Sequence, residues 1–311
     1  MRPGVRDLLW MATGAILLLL LALLVVDFEK VPDRSAQLAL ALAAKRLELL
    51  NQMRFGLAAA SEAEKSAVLA LTDEDSRTFA DQARAADATV ERARADLAAL
   101  LHTGGDQHEV ALLEQFSQAF AELRQLDDDL LGLAVKNSNL KAAGLTYGPA
   151  AVALREMSDA LDRLVTASAA SPDSGRVATL ALSAEVGVLR IYALLAPHVA
   201  EESDQKMDEM EAAMAREDQF VWRDLDGLAA LPTSASSADF ATAAARYARF
   251  GELEQQILSL SRENTNVRST TLSLSRKRNL MLLCQDALTA LQEAIAAAHA
   301  RPARSAPVNP R

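Results

Sequence analysis

Amide, hydroxyl, imidazole and cationic side chains recur at matched positions in this chain. Shifting the sequence by 127 residues lays Val135-Lys-Asn-Ser-Asn-Leu-Lys141 on Arg262-Glu-Asn-Thr-Asn-Val-Arg268. The same shift lays Leu123, Leu126 and Leu133 on Phe250, Leu253 and Leu260, and Ser158-Asp-Ala-Leu161 on Gln285-Asp-Ala-Leu288. Asn137 and Asn264 keep the spacing of their apolar neighbours, Leu133–Asn137–Leu140 and Leu260–Asn264–Val267. Both are therefore expected to face inward, where an amide costs free energy unless it is hydrogen-bonded. Counting along helices from the loops described below, Asn137, Asn264, Thr72 and His198 reach one height to within one or two turns. Asn139, Asn266, Lys141 and Arg268 stand close by. The expectation is a single polar layer halfway along an apolar bundle.

Two chemistries fit such a layer. A buried Asn at a seam position sets the register of coiled helices at a cost in stability. Alternatively, the four amides, Thr72, His198, Lys141 and Arg268 suit a small organic acid or amide as ligand. Arg190, between Leu189 and Ile191, is a second candidate for holding a carboxylate, against the reading of an exposed or snorkelling arginine.

Other chemistry is thin. Cys284 is the only cysteine, so no internal disulfide and no multi-cysteine metal site is expected. None of His102, His108, His198 and His299 follows a Glu at i−3, so the Glu-x-x-His pairs of di-iron bundles are missing. No Walker loop, dinucleotide-binding glycine turn, His-Glu-x-x-His or Gly-x-Ser-x-Gly elbow occurs. Cys284 aligns with Met157 in the repeat and reads as a small core residue. Met207, Met210 and Met214 read as seam packing, and Asp127-Asp-Asp129 as a solvated face. His102 and His108 read as flanks of a turn. No enzyme activity, metal or cofactor is expected.

The elements that must position these residues are helices. The chain has 311 residues, of which 50% are hydrophobic and 4% aromatic. Alanine makes up about a fifth of it. This is helix-former composition, poor in what strands require. A net charge of −10 gives no electrostatic footprint for nucleic acid.

Leu8–Val26 is a run of 19 uncharged residues, close to the roughly 20 that cross a bilayer. Arg2 and Arg6 precede it, and Asp27, Glu29 and Asp33 follow. The positive-inside rule then places residues 1–7 in the cytoplasm, 8–26 as an uncleaved inner-membrane anchor, and the bulk of the chain in the periplasm. A cleaved signal peptide is the rival reading, disfavoured by the run's length and the lack of a small-x-small site. Residues 301–311 read as a disordered, Pro-containing tail.

Loop chemistry at Thr103–Asp106, Ala169–Gly175 and Pro232–Ser237 divides the rest into four rods of roughly 60 to 75 residues, each about 90 Å if helical. Apolar residues at 3.5-residue spacing run along them, such as Phe79, Ala83, Ala86, Val90 and Leu97 in rod 1 and Leu140, Tyr147, Leu154 and Leu161 in rod 2. Rod 4 shows Val267, Leu274, Met281 and Leu288. Residues 27–300 thus read as a duplicated hairpin, with repeats at about 28–168 and 173–300, forming an elongated all-α, up-down-up-down bundle. Pro197 in rod 3, and Ser61-x-x-Glu64 with Thr72–Ser76 in rod 1, mark interruptions. Six helices are expected, in two stacked four-helix modules. Short pairs replace rods 1 and 3, and long helices form rods 2 and 4, with Pro149 at most kinking rod 2.

An N-terminal anchor, two long helices around Asn137–Asn139 and Asn264–Asn266, and two shorter pairs make a layout that resembles the helical bimodular sensor domain of bacterial methyl-accepting chemotaxis receptors. It is similar also to the broader four-helix-bundle receptor sensors. The resemblance covers roughly residues 1–300 and rests on layout rather than on a catalytic signature. It implies an extracytoplasmic, usually homodimeric domain that binds small molecules, often organic acids, between helices. That family continues into a second membrane helix, a HAMP linker and a signalling coiled coil, which this sequence does not show. The expectation is then a truncated receptor, a free-standing sensor acting through a separate signalling protein, or a structural relic. A membrane-tethered spacer or adaptor holding a protein partner is the alternative from another class.

Overall fold

A computed structural model describes residues 34–300. The anchor Leu8–Val26, residues 1–7, the tail 301–311 and the side chain of His299 lie outside the described residues. The described residues are helical, with no strand among them. In order they form α1 (Arg34–Leu69), α2 (Asp73–Gly104), α3 (Gln107–Ala134), α4 (Ser138–Leu145), a π-helical turn (Thr146–Ala150) and α5 (Ala151–Ala167). There follow α6 (Ser174–Ala200), α7 (Asp204–Ala229), the short α8 (Pro232–Ala235), α9 (Ala238–Glu263), α10 (Thr265–Leu272), a second π-helical turn (Ser273–Lys277) and α11 (Arg278–Ala300).

Rods 1 and 3 are helix pairs, as expected. Rod 1 breaks at Ala70–Thr72, where the Thr72 hydroxyl accepts from the Asp75 amide at 3.1 Å and caps α2. Ser61 and Glu64 do not start a helix, since both lie inside α1. Pro197 does not break rod 3 either. It sits within α6, and the chain turns only at Glu201–Ser203, where Ser203 caps α7.

Rods 2 and 4 are not continuous. Each is cut at the repeated asparagine, which adopts the left-handed conformation: Asn137 has φ 50° and Asn264 φ 52°. Asn enters this region more readily than other residues with a Cβ. Pro149 is absorbed by the first π-turn, and the second lies 127 residues further on. The duplication is therefore written in the backbone as well as in the letters. The asparagine breaks and the π-turns together shift the helical phase. Tyr147 and Leu274, expected on the seam, are exposed, and Ser269, Ser273 and Lys277 point inward instead.

The described residues form two compact units. The smaller takes residues up to 57, 88–119 and those from 283 onward. It buries Leu50, Met53, Val90, Leu97, Phe116, Leu288, Leu291 and Ile295. Arg46 anchors it, donating at 2.6 Å to the Gly104 carbonyl and pairing with buried Glu109 at 3.2 Å. The start of α1 thus lies beside the α2–α3 turn. Cys284 is buried here, as expected of a core residue.

The larger unit takes residues 58–87 and 120–282. Most of α5, α6, α7 and α9 enclose one apolar core, including Met157, Val188, Ile191, Met214, Val221, Phe250 and Ile257. Helices α6 and α7 approach closely, since a Cβ on Gly187 would stand 2.6 Å from a methyl of Val221. A second core gathers Ala63, Ala67, Ala80, Ala83, Leu130, Leu131 and Ala134. By length and composition alone, two helical stretches, Ser174–Ala200 and Ala238–Ala298, are apolar enough to cross a membrane. Their apolar faces supply much of the first core.

Candidate functional site

The two left-handed asparagines end their helices and leave the following amides, those opening α4 and α10, in need of acceptors. Each new helix is capped by the other. The Ser138 amide donates to Thr265 Oγ1 and the Thr265 amide to Ser138 Oγ, both at 3.1 Å. One residue on, the Asn139 amide donates to Asn266 Oδ1 at 3.2 Å and the Asn266 amide to Asn139 Oδ1 at 3.0 Å. The side-chain amides complete the pattern. Asn139 Nδ2 donates to Asn264 Oδ1 at 2.8 Å and Asn266 Nδ2 to Asn137 Oδ1 at 3.0 Å. This is a reciprocal crossing about a local pseudo-two-fold axis, and it exists because both rods carry the same Asn-hydroxyl-Asn triplet.

The crossing is tied outward to both turns. Asn137 Nδ2 donates to Asp73 Oδ1 at 3.1 Å, beside the α1–α2 turn. Asn264 Nδ2 donates to the Glu201 carbonyl and Asn139 Nδ2 to the Val199 carbonyl, at 2.8 and 2.7 Å, on the α6–α7 turn. Lys141 pairs with Asp73 at 2.9 Å. Its hydrogen bond, with that from Asn137, holds the Asp73 carboxyl below its usual range.

His198 is fully buried one layer away. Its Nδ1 meets Ser261 Oγ at 2.8 Å and its Nε2 meets Glu211 at 2.9 Å, and Glu211 also accepts from Arg262 at 2.6 Å. Burial pushes the imidazole pKa down against the pull of Glu211. The Arg262 bond holds Glu211 below the usual carboxylate range.

Of the residues singled out in sequence, Asn137, Asn139, Asn264, Asn266 and Lys141 come together, and His198 stands one layer away. Thr72 is exposed and serves its own helix, while its neighbour Asp73 joins the layer. Arg268 is exposed. Arg190 points outward from α6 and pairs loosely with Glu217 at 3.4 Å. Ser138, Thr265, Ser261, Glu211 and Arg262 were not singled out. The first two lie between the repeated asparagines, and the repeat was the available signal.

A further polar cluster lies inside the second core. Lys277 pairs with Asp127 at 2.6 Å and Glu64 at 3.2 Å, all three being almost inaccessible. Asp127 is thus not the solvated residue expected, although Asp128 and Asp129 are exposed. Asp87 is buried beside them, and burial first, then the Asp127 charge, pushes its carboxyl up to about 7. Among the described residues no group of His, Cys, Asp and Glu has the arrangement to hold a metal ion.

No protein-family model and no curated protein sequence matches the chain.

Proposed function

We propose that the chain is a membrane-tethered, periplasmic sensing module of chemoreceptor type, non-enzymatic and acting as a homodimer. Ligand binding in the α5–α6–α7–α9 core biases helix packing, and a separate signalling protein reads the change. The observation that carries this reading is the asparagine crossing. It interrupts both duplicated rods at equivalent residues and bonds them to each other and to both hairpin turns. A displacement of α9 or α6 therefore has a bonded route to α4, α10 and the α1–α2 turn.

In this reading the crossing is a register device and not itself the ligand site. Every side-chain amide in it is already bonded within the protein, so an organic acid or amide would have to displace that set. The same saturation favours one other reading, a rigid spacer that holds a protein partner.

A melting-temperature screen of the full chain in detergent, against organic acids, amino acids, amides and amines, separates the two. A ligand at a hundred times its dissociation constant adds about 2.7 kcal/mol, a shift of several degrees. A sensor also predicts altered hydrogen exchange at the Ser138, Asn139, Thr265 and Asn266 amides on binding. A flat screen moves the assignment to the spacer.

A further inference from the structure

Helices α7 and α9 pack far less closely on each other than α7 does on α6 or α9 on α5. A cleft of 530 Å³ lies between them. One stripe of α7, Glu211, Asp218 and Trp222, faces Tyr247, Gly251 and Glu254 of α9 across it. Small residues keep it open: at Gly251 nothing stands within 4 Å of where a Cβ would be. One wall is aromatic. Trp222 meets the Tyr247 ring edge-on, with centroids 5.1 Å apart, and the Trp222 residue is 41% exposed. The Tyr247 hydroxyl donates to Asp218 at 2.5 Å.

The charges in this cleft are unbalanced. Glu211 is engaged by Arg262 and His198, but no lysine or arginine lines the cleft to face Asp218 and Glu254. Burial and the nearby Asp218 charge disfavour the ionised form of Glu254. The Asp218 carboxylate, and a Glu254 carboxyl whose ionised form a cation bound between them would favour, stand beside an accessible indole in a space small residues leave unfilled; this is the chemistry that holds a cation carrying apolar groups. An anion would meet only repulsion there.

We propose that this cleft binds a small organic ammonium ion, its charge between Asp218 and Glu254 and its methyl or methylene groups against Trp222. The proposal deepens the sensing reading by naming its ligand class, and rests on that reading only for what binding does next.

The test is calorimetric titration of the full chain in detergent with choline, tetramethylammonium and 1,4-diaminobutane. The uncharged isostere of choline, 3,3-dimethylbutan-1-ol, is the control. Saturable binding of at least one cation and none of the isostere is expected. Affinity should fall about tenfold or more in Glu254→Gln, which loses a charge, and in Gly251→Leu, which fills the cleft. Glu254→Gln relieves a like-charge contact, so its fold should hold, and its melting curve checks this. If none of the three cations binds, or if binding survives both substitutions, the site is wrong. Organic acids that shift the melting temperature while the cations do not would sink this site and leave the sensing reading standing. Cation binding that leaves exchange at Ser138 and Thr265 unchanged would keep the site and sink the sensing reading.

Discussion

At the scale of single residues, Asn264 has two jobs, and substitutions separate them. It holds a left-handed backbone, and its amide links Asn139 to the Glu201 carbonyl. Asn264→Gly keeps the backbone freedom but leaves Asn139 Nδ2 short of a buried partner, at a cost of about 1–3 kcal/mol. Asn264→Ala adds the left-handed penalty of a Cβ, about 1–2 kcal/mol more. Urea unfolding should therefore rank native above Gly above Ala. An Ala variant as stable as the Gly variant would show that the backbone conformation relaxes. The equivalent changes at Asn137 should follow the same order, since the two sites share their geometry.

At the scale of elements, the second π-turn brings Lys277 into a core with more acids than bases. Lys277→Met leaves Glu64 and Asp127 buried without their cation, a change expected to cost about 3–5 kcal/mol. Urea midpoints for this variant and for Lys277→Met combined with Glu64→Gln check it, the double change recovering part of the loss.

Asp87 in the same cluster makes a prediction about pH. Its carboxyl is raised from 3.8 to about 7 in the folded chain. Being held neutral, it contributes stability that is fully present below about pH 4 and is lost as pH rises through about 7. Asp87→Asn should thus be more stable than the native chain at pH 8, by about 2–4 kcal/mol, and the difference should vanish near pH 4. Equal stabilities at pH 8 would mean that the cluster keeps Asp87 charged at no cost.

At the scale of the whole molecule, attachment to the membrane and self-association are the testable properties. The full chain should resist alkaline carbonate extraction, and deletion of residues 1–27 should release it. In detergent it should sediment as two chains. Exposed Leu38, Leu40 and Phe55 on α1 offer apolar surface for such pairing. A mass of one chain at micromolar concentration would count against the dimer.

The helical class, the loops and the 127-residue duplication follow from letters alone, because helix propensity and apolar period are local properties. So does the inward placement of Asn137 and Asn264, since seam spacing decides which face a residue takes. What the letters could not decide is that these asparagines would cut the rods. Asn is only weakly favoured in the left-handed region, too weak a signal to place a break inside a helical sequence, and here the break is stabilised by bonds to a segment 127 residues away. Nor could they show that Asp127 meets Lys277, or that Tyr147 and Leu274 turn outward, because the helical phase is reset where the asparagines cut each rod and again through the π-turns. The cleft between α7 and α9 belongs to the same category. Its acids and aromatics are ordinary surface letters until tertiary packing sets two helices apart and leaves their charges facing one another.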